Sequence, residues 1–187
     1  MLLFLKLLKW GAISIAVAFA VLVVYRMFVL WDKQKTDDQV ARIHATKLTL
    51  DDVMGKNLPP DPGADADKTV QGIDANHNNI RDDVELAIFK EYPNSARIRA
   101  AELQYAMALQ AELTQVFNSG TLVAVIQEEG RGNVCILDLR RTKEIEELVF
   151  NTDIRKKTKE DLHKKFMTSY ALPNSDYCDI DPKTFTN

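Results

Sequence analysis

The most apolar part of the chain is residues 10–31, an almost unbroken hydrophobic run. As a helix that rises about 1.5 Å per residue, it would reach roughly 33 Å, which is enough to cross a hydrocarbon core of about 30 Å. Trp10 and Trp31 stand at its two ends, and aromatic residues of this kind favour membrane interfaces. Arg26, the only charge within the run, is close enough to one end for its side chain to extend to the headgroups. The pattern predicts a transmembrane anchor.

A cleaved signal peptide is the alternative interpretation of the same segment. Lys6 and Lys9 precede the apolar run, and Ala18 and Ala20 form a small-x-small arrangement. Cleavage after Ala20 would leave a mature chain that begins VLVVYRMFVLW, which has no evident core to enter. A retained anchor is the simpler account, so we expect residues 1–31 to form a tail and a transmembrane anchor.

Beyond the anchor, polar residues and helix breakers predict a stalk and linker over residues 32–68. The stretch 55–68 reads GKNLPPDPGADADK and concentrates Pro, Gly and Asp, which favour turns and extended backbone. We expect residues 32–45 to continue as a helix before this stretch. The folded domain is then expected to cover residues 69–187.

Apolar residues recur at helical spacing through most of this domain, which predicts an all-α fold. The predicted helices cover about residues 80–91, 96–117, 133–150 and the stretch that follows the capping pair Asn151 and Thr152. Residues 121–129 could form a short helix or a strand, because periodicity does not distinguish the two over so short a run. Gly130 and Gly132 are expected to form a turn.

Charge and motifs limit the classes of function. The 187 residues carry a formal net charge of -3, which argues against nucleic-acid binding because such binding needs a concentrated basic face. No motif pairs a serine or cysteine nucleophile with a base, and no GxxxxGK or HExxH segment occurs. Glu128 and Glu129, like the acids at positions 82, 83 and 85, could supply catalytic carboxylates, but a charged surface explains them more simply. With no small-molecule substrate evident, we expect a non-enzymatic protein.

The clearest chemical signal is the segment DANHNNIRDDVE, residues 74–85. Oxygen-bearing side chains occupy its first, third, fifth, ninth and twelfth positions, and a backbone carbonyl is available at the seventh. A calcium ion takes six to eight oxygen ligands, and this spacing lets a tight loop wrap one ion while a final carboxylate closes the shell. The predicted ligands are Asp74, Asn76, Asn78, the carbonyl of Ile80, Asp82 and Glu85.

The loop resembles the calcium loops of the EF-hand superfamily in its broad sense, and more closely the DxDxDGIxDxxE variants related to dockerins and type 3 thrombospondin repeats. The wider segment GIDANHNNIRDDVE, behind its Pro-rich lead-in, also resembles a signature of uncharacterised bacterial envelope proteins. This resemblance implies Ca²⁺ as the cofactor and the same six ligands, with Asp82 bound directly or through water. Asn79 stands where Gly is usual, Asn76 and Asn78 replace aspartates, and the second loop of a pair is missing. We therefore expect a weak or structural site.

An Asn/Asp-rich turn that caps a helix and binds no metal is the alternative interpretation of the loop. Turn preference, however, does not require oxygens on alternate residues or a glutamate three residues beyond Asp82. His77, at the fourth position, is expected to point away from the ion. His163 lies among the lysines of residues 155–165, which are expected to form a solvated helix face.

The two cysteines bear on the cellular compartment. Cys135 and Cys178 are an even count in the soluble part of the chain, which suits one disulfide in an oxidising compartment; two free thiols in a cytosolic domain are the alternative. Basic residues flank both sides of the anchor, so the positive-inside rule alone does not decide its orientation. The paired cysteines and the calcium loop favour a single-pass protein of the bacterial inner membrane with its C-terminal domain in the periplasm.

These patterns together favour a membrane-anchored, non-enzymatic calcium-binding envelope protein that binds another protein or supports an envelope assembly. The sequence does not identify the protein partner. Two other classes stay open, namely a hydrolase with a calcium-stabilised fold and an immunity or inhibitor protein that acts at the membrane. A deep pocket lined by convergent titratable groups away from the loop would favour the hydrolase.

Overall fold

The computed structural model describes residues 1–136, 139–167, 169–171 and 177–185. The described residues form helices and loops without a strand, so the predicted all-α fold is confirmed. Its α-helices are α1 (Leu2–Ala45), α2 (Leu50–Val53), α3 (Asp82–Glu91), α4 (Ala96–Gln115), α5 (Ser119–Ile136), α6 (Leu139–Val149) and α7 (Asp153–Phe166), with short 3₁₀ helices at Gly63–Asp67 and Pro182–Thr184. The chain divides into two units, Met1–Asp38 and Gln39–Asn187.

The unit Met1–Asp38 is helical and leaves its apolar side chains uncovered. Trp10, Phe19 and Trp31 are 67%, 67% and 72% exposed. Apolar surface of this kind is unfavourable in water and favourable in lipid. By length and composition, the helix is a candidate membrane span near the N-terminus. A candidate span therefore lies where the hydrophobic run predicts one.

The unit Gln39–Asn187 is built around α4, against which α2, α3, α5, α6 and α7 all pack. Leu103 and Leu109 of α4 have no exposed surface, and Val84 and Ile88 of α3 are each 1% exposed. Burying a side chain of this size stabilises the fold by about 1.5–3 kcal/mol. The core therefore fixes α3, and with it the end of residues 74–85, against the centre of the bundle.

The compact unit also includes residues that precede position 69. Ile43, Leu48 and Val53 are 3%, 5% and 0% exposed. They come from the region that the sequence analysis assigns to a stalk and linker. Their burial means that this region contributes apolar side chains to the core.

The expected turn at Gly130 and Gly132 is wrong, because α5 runs through both glycines from Ser119 to Ile136. The same helix settles the open question over residues 121–129 in favour of a helix. A Cβ atom at Gly132 would lie 2.9 Å from the Cα of Tyr105 on α4. Glycine at this position therefore serves close packing of α5 against α4, and it does not end the helix.

Helix ends agree better with the predictions. The Ser95 hydroxyl accepts a hydrogen bond from the Ile98 amide at 3.4 Å at the start of α4. The Thr152 hydroxyl accepts one from the Arg155 amide, also at 3.4 Å, at the start of α7. Such caps satisfy amides that have no partner within the helix, and each is worth about 1 kcal/mol. Local capping chemistry was therefore a reliable guide to these boundaries.

The C-terminal tail is tied to the bundle by a disulfide and by Asp179. Cys135 and Cys178 form the predicted disulfide, with their Cα atoms 5.2 Å apart. The Asp179 side chain, only 1% exposed, accepts hydrogen bonds from the Leu48 amide at 3.0 Å and from Arg131 at 2.9 Å. Its own amide donates to Gln104 on α4 at 2.8 Å. The tail therefore connects α4, α5 and the segment that follows α1.

Candidate metal centre

The backbone of residues 74–85 is bent at two positions. His77 and Asn79 have φ angles of 58° and 67°, in the left-handed region that most side chains avoid. Asn79 occupies the sixth position, where glycine is usual in calcium loops, and asparagine is the residue that best tolerates this conformation after glycine. His77 is exposed, in agreement with its predicted position. The loop thus adopts the bend that its pattern calls for without the glycine.

The first, third and fifth side chains all turn back onto the loop. The two carboxylate oxygens of Asp74 accept hydrogen bonds from the amides of Asn78 at 3.1 Å and Asn79 at 2.9 Å. The Asn76 side-chain oxygen accepts from the Asn78 amide at 3.4 Å, and that of Asn78 accepts from the Ile80 amide at 2.9 Å. Three alternate side chains therefore direct oxygens toward one short stretch of backbone.

Glu85 and Asp82 approach the same loop from the start of α3. One carboxylate oxygen of Glu85 accepts hydrogen bonds from the side-chain amides of Asn76 and Asn78, each at 3.0 Å. Asp82 accepts one from the Ala75 amide at 2.9 Å through Oδ1. Its other oxygen, Oδ2, is buried and has no hydrogen-bond partner among the described residues. The third, fifth and twelfth positions thus meet, and the ninth offers a free oxygen.

Burial dominates the electrostatics of these two carboxyls. It raises the pKa of Glu85 to about 7, although the hydrogen bonds from Asn76 and Asn78 act in the opposite direction. Burial also raises the pKa of Asp82; the Ala75 amide opposes this shift and nearby Asp74 adds to it. A raised carboxyl pKa means that the anion lacks positive partners. The charged forms of Glu85 and Asp82 are therefore disfavoured where the two carboxyls are buried.

Arg81 connects the loop to the far end of α6. Its guanidinium is fully buried and donates to the carbonyls of Leu148 and Val149, each at 2.9 Å. These are the last residues of α6, whose carbonyls have no partner within the helix. Arg81 also pairs with Asp83 at 2.5 Å. A change in the loop backbone at Arg81 would therefore alter the hydrogen bonds at the end of α6.

The structure brings Asn76, Asn78 and Glu85 into contact, and it places Asp74 and Asp82 on the same loop backbone. Within the described ranges, no three His, Cys, Asp or Glu side chains form a group that could hold a metal ion. Asp74, Asp82 and Glu85, the three acids of the predicted ligand set, therefore do not come together as such a group. Calcium binding stays a prediction.

Sequence reasoning missed the buried arginines that surround the site. Arg81 occupies a loop position that the calcium pattern leaves open, and Arg155 lies in a run expected to be solvated. Both have no exposed surface. Arg155 donates to the carbonyls of Ala66 and Val70, just before the loop, at 2.5 and 3.0 Å. Nothing in the helical periodicity distinguishes these arginines from their solvated neighbours, because their partners are distant backbone carbonyls.

The chain matches no protein-family model, no curated protein and no solved structure.

Proposed function

We propose that this protein is held in the bacterial inner membrane by its N-terminal helix and that its C-terminal domain lies in the periplasm. The domain binds one Ca²⁺ at residues 74–85 and acts without catalysis, by binding another protein or supporting an envelope assembly. The candidate span and the Cys135–Cys178 disulfide support this placement, because disulfides persist in oxidising compartments.

One observation carries the calcium proposal. The side chains of Asn76, Asn78 and Glu85 meet within hydrogen-bonding distance, while the buried Oδ2 of Asp82 has no hydrogen-bond partner in the part of the chain that the structure describes. Hydrogen bonds from neutral amides only partly offset the burial of a carboxylate. A divalent cation offsets it better, since it binds several oxygens at once.

Each predicted ligand would have a distinct part in holding the ion. Asp74, Asn76 and Asn78 would supply the alternating oxygens, the Ile80 carbonyl the backbone ligand, and Glu85 the closing carboxylate. Asp82 would bind directly or through water. The ion would supply the positive charge that these oxygens lack.

The consequence of binding would reach beyond the loop. Ile80 has no exposed surface, and Arg81, the next residue, contacts the end of α6. Fixing the Ile80 carbonyl on an ion would therefore fix Arg81 and the start of α3 together. We infer that calcium stiffens the junction of α3 and α6.

Calorimetric titration of the full-length protein in detergent micelles tests the ion. We expect the wild-type protein to take up about one Ca²⁺ and Glu85→Gln to lose most of this uptake, because the closing carboxylate supplies much of the affinity. Glu91→Gln, which removes an exposed acid at the other end of α3, should leave uptake unchanged. Equal uptake by the wild-type protein and Glu85→Gln would reject Glu85 as a ligand, and no uptake by either would reject the site.

A surface beside the loop supports binding of another protein. An open cavity of about 550 Å³ is lined by residues 47, 49–52, 57 and 76–79. Leu50, one of the lining residues, is 46% exposed, and Met54 and Leu58, which follow it in the chain, are 52% and 43% exposed. The side-chain amide of Asn76 donates to the Asn57 carbonyl at 2.9 Å, so the loop and this surface are directly connected. Exposed apolar side chains that lie close together are typical of contact surfaces.

Site-specific photo-crosslinking in membranes tests this surface. A photoreactive residue at Met54 should crosslink to a discrete partner more strongly in calcium than in chelator. The matched probe at Ile154, which is 57% exposed on α7, should show no such calcium dependence. Crosslinking at Met54 that is absent, or that is unaffected by chelator, would contradict a calcium-dependent protein contact.

A further inference from the structure

A second group of acids lies inside the bundle, apart from the loop. Glu112 of α4 has no exposed surface, and the carboxyl of Glu129 on α5 interacts with it and has a buried oxygen of its own. The charge of Glu146 on α6 also raises the pKa of Glu129. Glu146 accepts a hydrogen bond from the Tyr105 hydroxyl at 2.7 Å. Glu129 is therefore not part of the charged surface expected for it, because its carboxyl is buried beside Glu112.

Helix α7 brings two basic side chains to this group. Nε2 of His163 lies 2.5 Å from Oε1 of Glu112, and Nζ of Lys159 lies 3.7 Å from Oε2. The expected position of His163 on a solvated face is therefore wrong, because its ring reaches a fully buried carboxyl group. Both basic side chains contact Glu112, and no described lysine, arginine or histidine pairs with Glu129.

Two buried oxygens in this group lack a hydrogen donor. Oε2 of Glu112 and Oε1 of Glu129 accept no hydrogen bond from any described residue. Two buried carboxylates in contact repel each other, so ionising both of them costs free energy. A single proton held between them removes one charge and supplies the missing donor. The unpartnered oxygens thus point to a proton as the ligand of this pair.

We propose that Glu112 and Glu129 bind one shared proton, and that this proton keeps α7 docked on the bundle. When α7 is docked, the pair is covered and retains the proton. When α7 opens, water reaches both carboxylates, and the pair releases the proton. The site is therefore a proton-dependent latch between α7 and the helices that it covers.

The charges around the pair determine how firmly the proton is held. Burial raises the pKa of Glu129 well above its ordinary value, and the charge of Glu112 raises it further. Lys159 lowers this pKa, and Glu146 raises it. Burial and the two acids therefore outweigh the single lysine.

The linkage between proton binding and docking determines how the docking of α7 depends on pH. A carboxyl whose pKa is higher in the docked state than in the open state makes docking take up a proton. Docking is then strongest at low pH and weakens as pH rises from the ordinary glutamate pKa, about 4.3, toward the raised value in the docked state. For one proton, the docking equilibrium constant falls about tenfold per pH unit across this window.

Hydrogen exchange of the full-length protein in micelles tests the latch. Protection factors of the α7 amides, corrected for intrinsic exchange rates, should fall about tenfold per pH unit between about pH 5 and the docked-state pKa. In Glu129→Gln the side-chain amide replaces the shared proton, so protection should become independent of pH. The control Glu147→Gln removes an exposed acid of α6 and should keep the wild-type slope.

Two outcomes would overturn the proposal. Protection of α7 that does not change with pH in the wild-type protein means that no proton is linked to docking, and a slope that survives in Glu129→Gln means that another group binds it. His163→Gln covers the case in which Glu129→Gln fails to fold. Retention of the slope in His163→Gln supports the carboxyl pair, whereas its loss assigns the proton to the histidine and rejects the pair.

Discussion

The loop at residues 74–85 and the C-terminal tail around Asp179 are both irregular segments, but they are ordered in opposite ways. Most hydrogen bonds that shape the loop join residues two to nine positions apart, such as Asn78 to Ile80 and Asn76 to Glu85, and the bonds from Asn76 to Asn57 and from Arg81 to α6 are longer in range. The bonds of Asp179 reach Gln104 and Leu48, which are 75 and 131 positions away. The shape of the loop therefore depends mainly on its own sequence, whereas the position of the tail depends on contacts with the bundle.

This difference explains why a covalent link suits the tail and a bound ion would suit the loop. Closing a long chain segment costs conformational entropy, which a covalent link removes from the unfolded state. The disulfide between Cys135 and Cys178 does this for the tail. A short loop has little closure entropy to save, but its crowded oxygens repel one another. The proposed Ca²⁺ would be the matching reinforcement there.

Removal of the disulfide should produce the largest loss of stability, and this loss should arise from the tail. The cysteines are 43 positions apart, and for a loop of that length chain entropy gives about 4 kcal/mol of stabilisation. We expect Cys135→Ser with Cys178→Ser to lower the free energy of unfolding by up to that amount. Denaturant titration of the full-length protein in mild detergent, followed by circular dichroism, measures it.

Reductant provides the control for this variant. It should destabilise the wild-type protein by a similar amount and leave the double variant unaffected. Calcium uptake should be the same in both proteins, because the loop makes most of its bonds locally. A disulfide-free protein of unchanged stability would contradict the role given to the tail.

Arg155 tests a long-range contact next to the loop, with a slightly smaller effect. Its guanidinium donates to the carbonyls of Ala66, Thr69 and Val70 at 2.5, 3.1 and 3.0 Å. Arg155→Met keeps much of the side-chain volume but removes these donors, and we expect a loss of about 3 kcal/mol at roughly 1 kcal/mol per bond. Lys156→Met changes an exposed neighbour and should be nearly neutral in the same denaturation assay. Equal losses in the two variants would show that the carbonyls do not depend on Arg155.

Two glycines with positive φ lie before the loop. Replacing each of them by alanine distinguishes the cost of backbone strain from the cost of a packing clash. Gly72 and Gly63 have φ angles of 69° and 54°, so alanine is strained at both. A Cβ at Gly72 would also collide with the buried side chain of Arg81, whereas one at Gly63 meets nothing within 4 Å. We expect losses of about 2 kcal/mol for Gly72→Ala and about 1 kcal/mol for Gly63→Ala. Equal melting temperatures for the two variants would contradict a packing role for Arg81.

Glu128 should give a smaller effect than Gly72, and one that depends on pH. It pairs with His44 at 2.7 Å, with Lys47 at 3.1 Å and with Arg131. Burial alone would raise the pKa of Glu128, but the hydrogen bonds from these three partners outweigh it and lower the pKa. Stability from this carboxylate is therefore present above the ordinary glutamate pKa of about 4.3 and is lost as pH falls through the lower folded-state value.

The matching variant is Glu128→Gln. Near pH 7 it should be less stable than the wild-type protein by about 1.5 kcal/mol, the usual worth of a hydrogen bond to a charged group. The difference should shrink below about pH 4, as the wild-type carboxylate becomes protonated. Urea titrations at a series of pH values measure this. A difference that persists at about pH 3 would show that charge is not the source of the stabilisation.

Several features were predictable from sequence because their causes are local. Ser95 and Thr152 cap their helices through bonds to residues three positions ahead. The oxygen spacing of residues 74–85 likewise identified the side chains that now turn onto the loop. In contrast, Gly132 was misread as a turn because its role depends on Tyr105 of another helix. The buried positions of Glu112 and Glu129 have the same kind of cause, since only packing against α7 makes them interior.

The sequence alone determined the helical class, the apolar N-terminal helix and the disulfide partners. Composition, periodicity and a count of two cysteines are enough for these, because each involves neighbours in the chain or permits a single pairing. Tertiary structure decided which charged residues became interior. Arg81, Arg155 and Glu112 look like ordinary surface residues until distant carbonyls, or His163 of α7, come within hydrogen-bonding distance. A buried charge is stable only with such partners, and those partners are assembled by the fold.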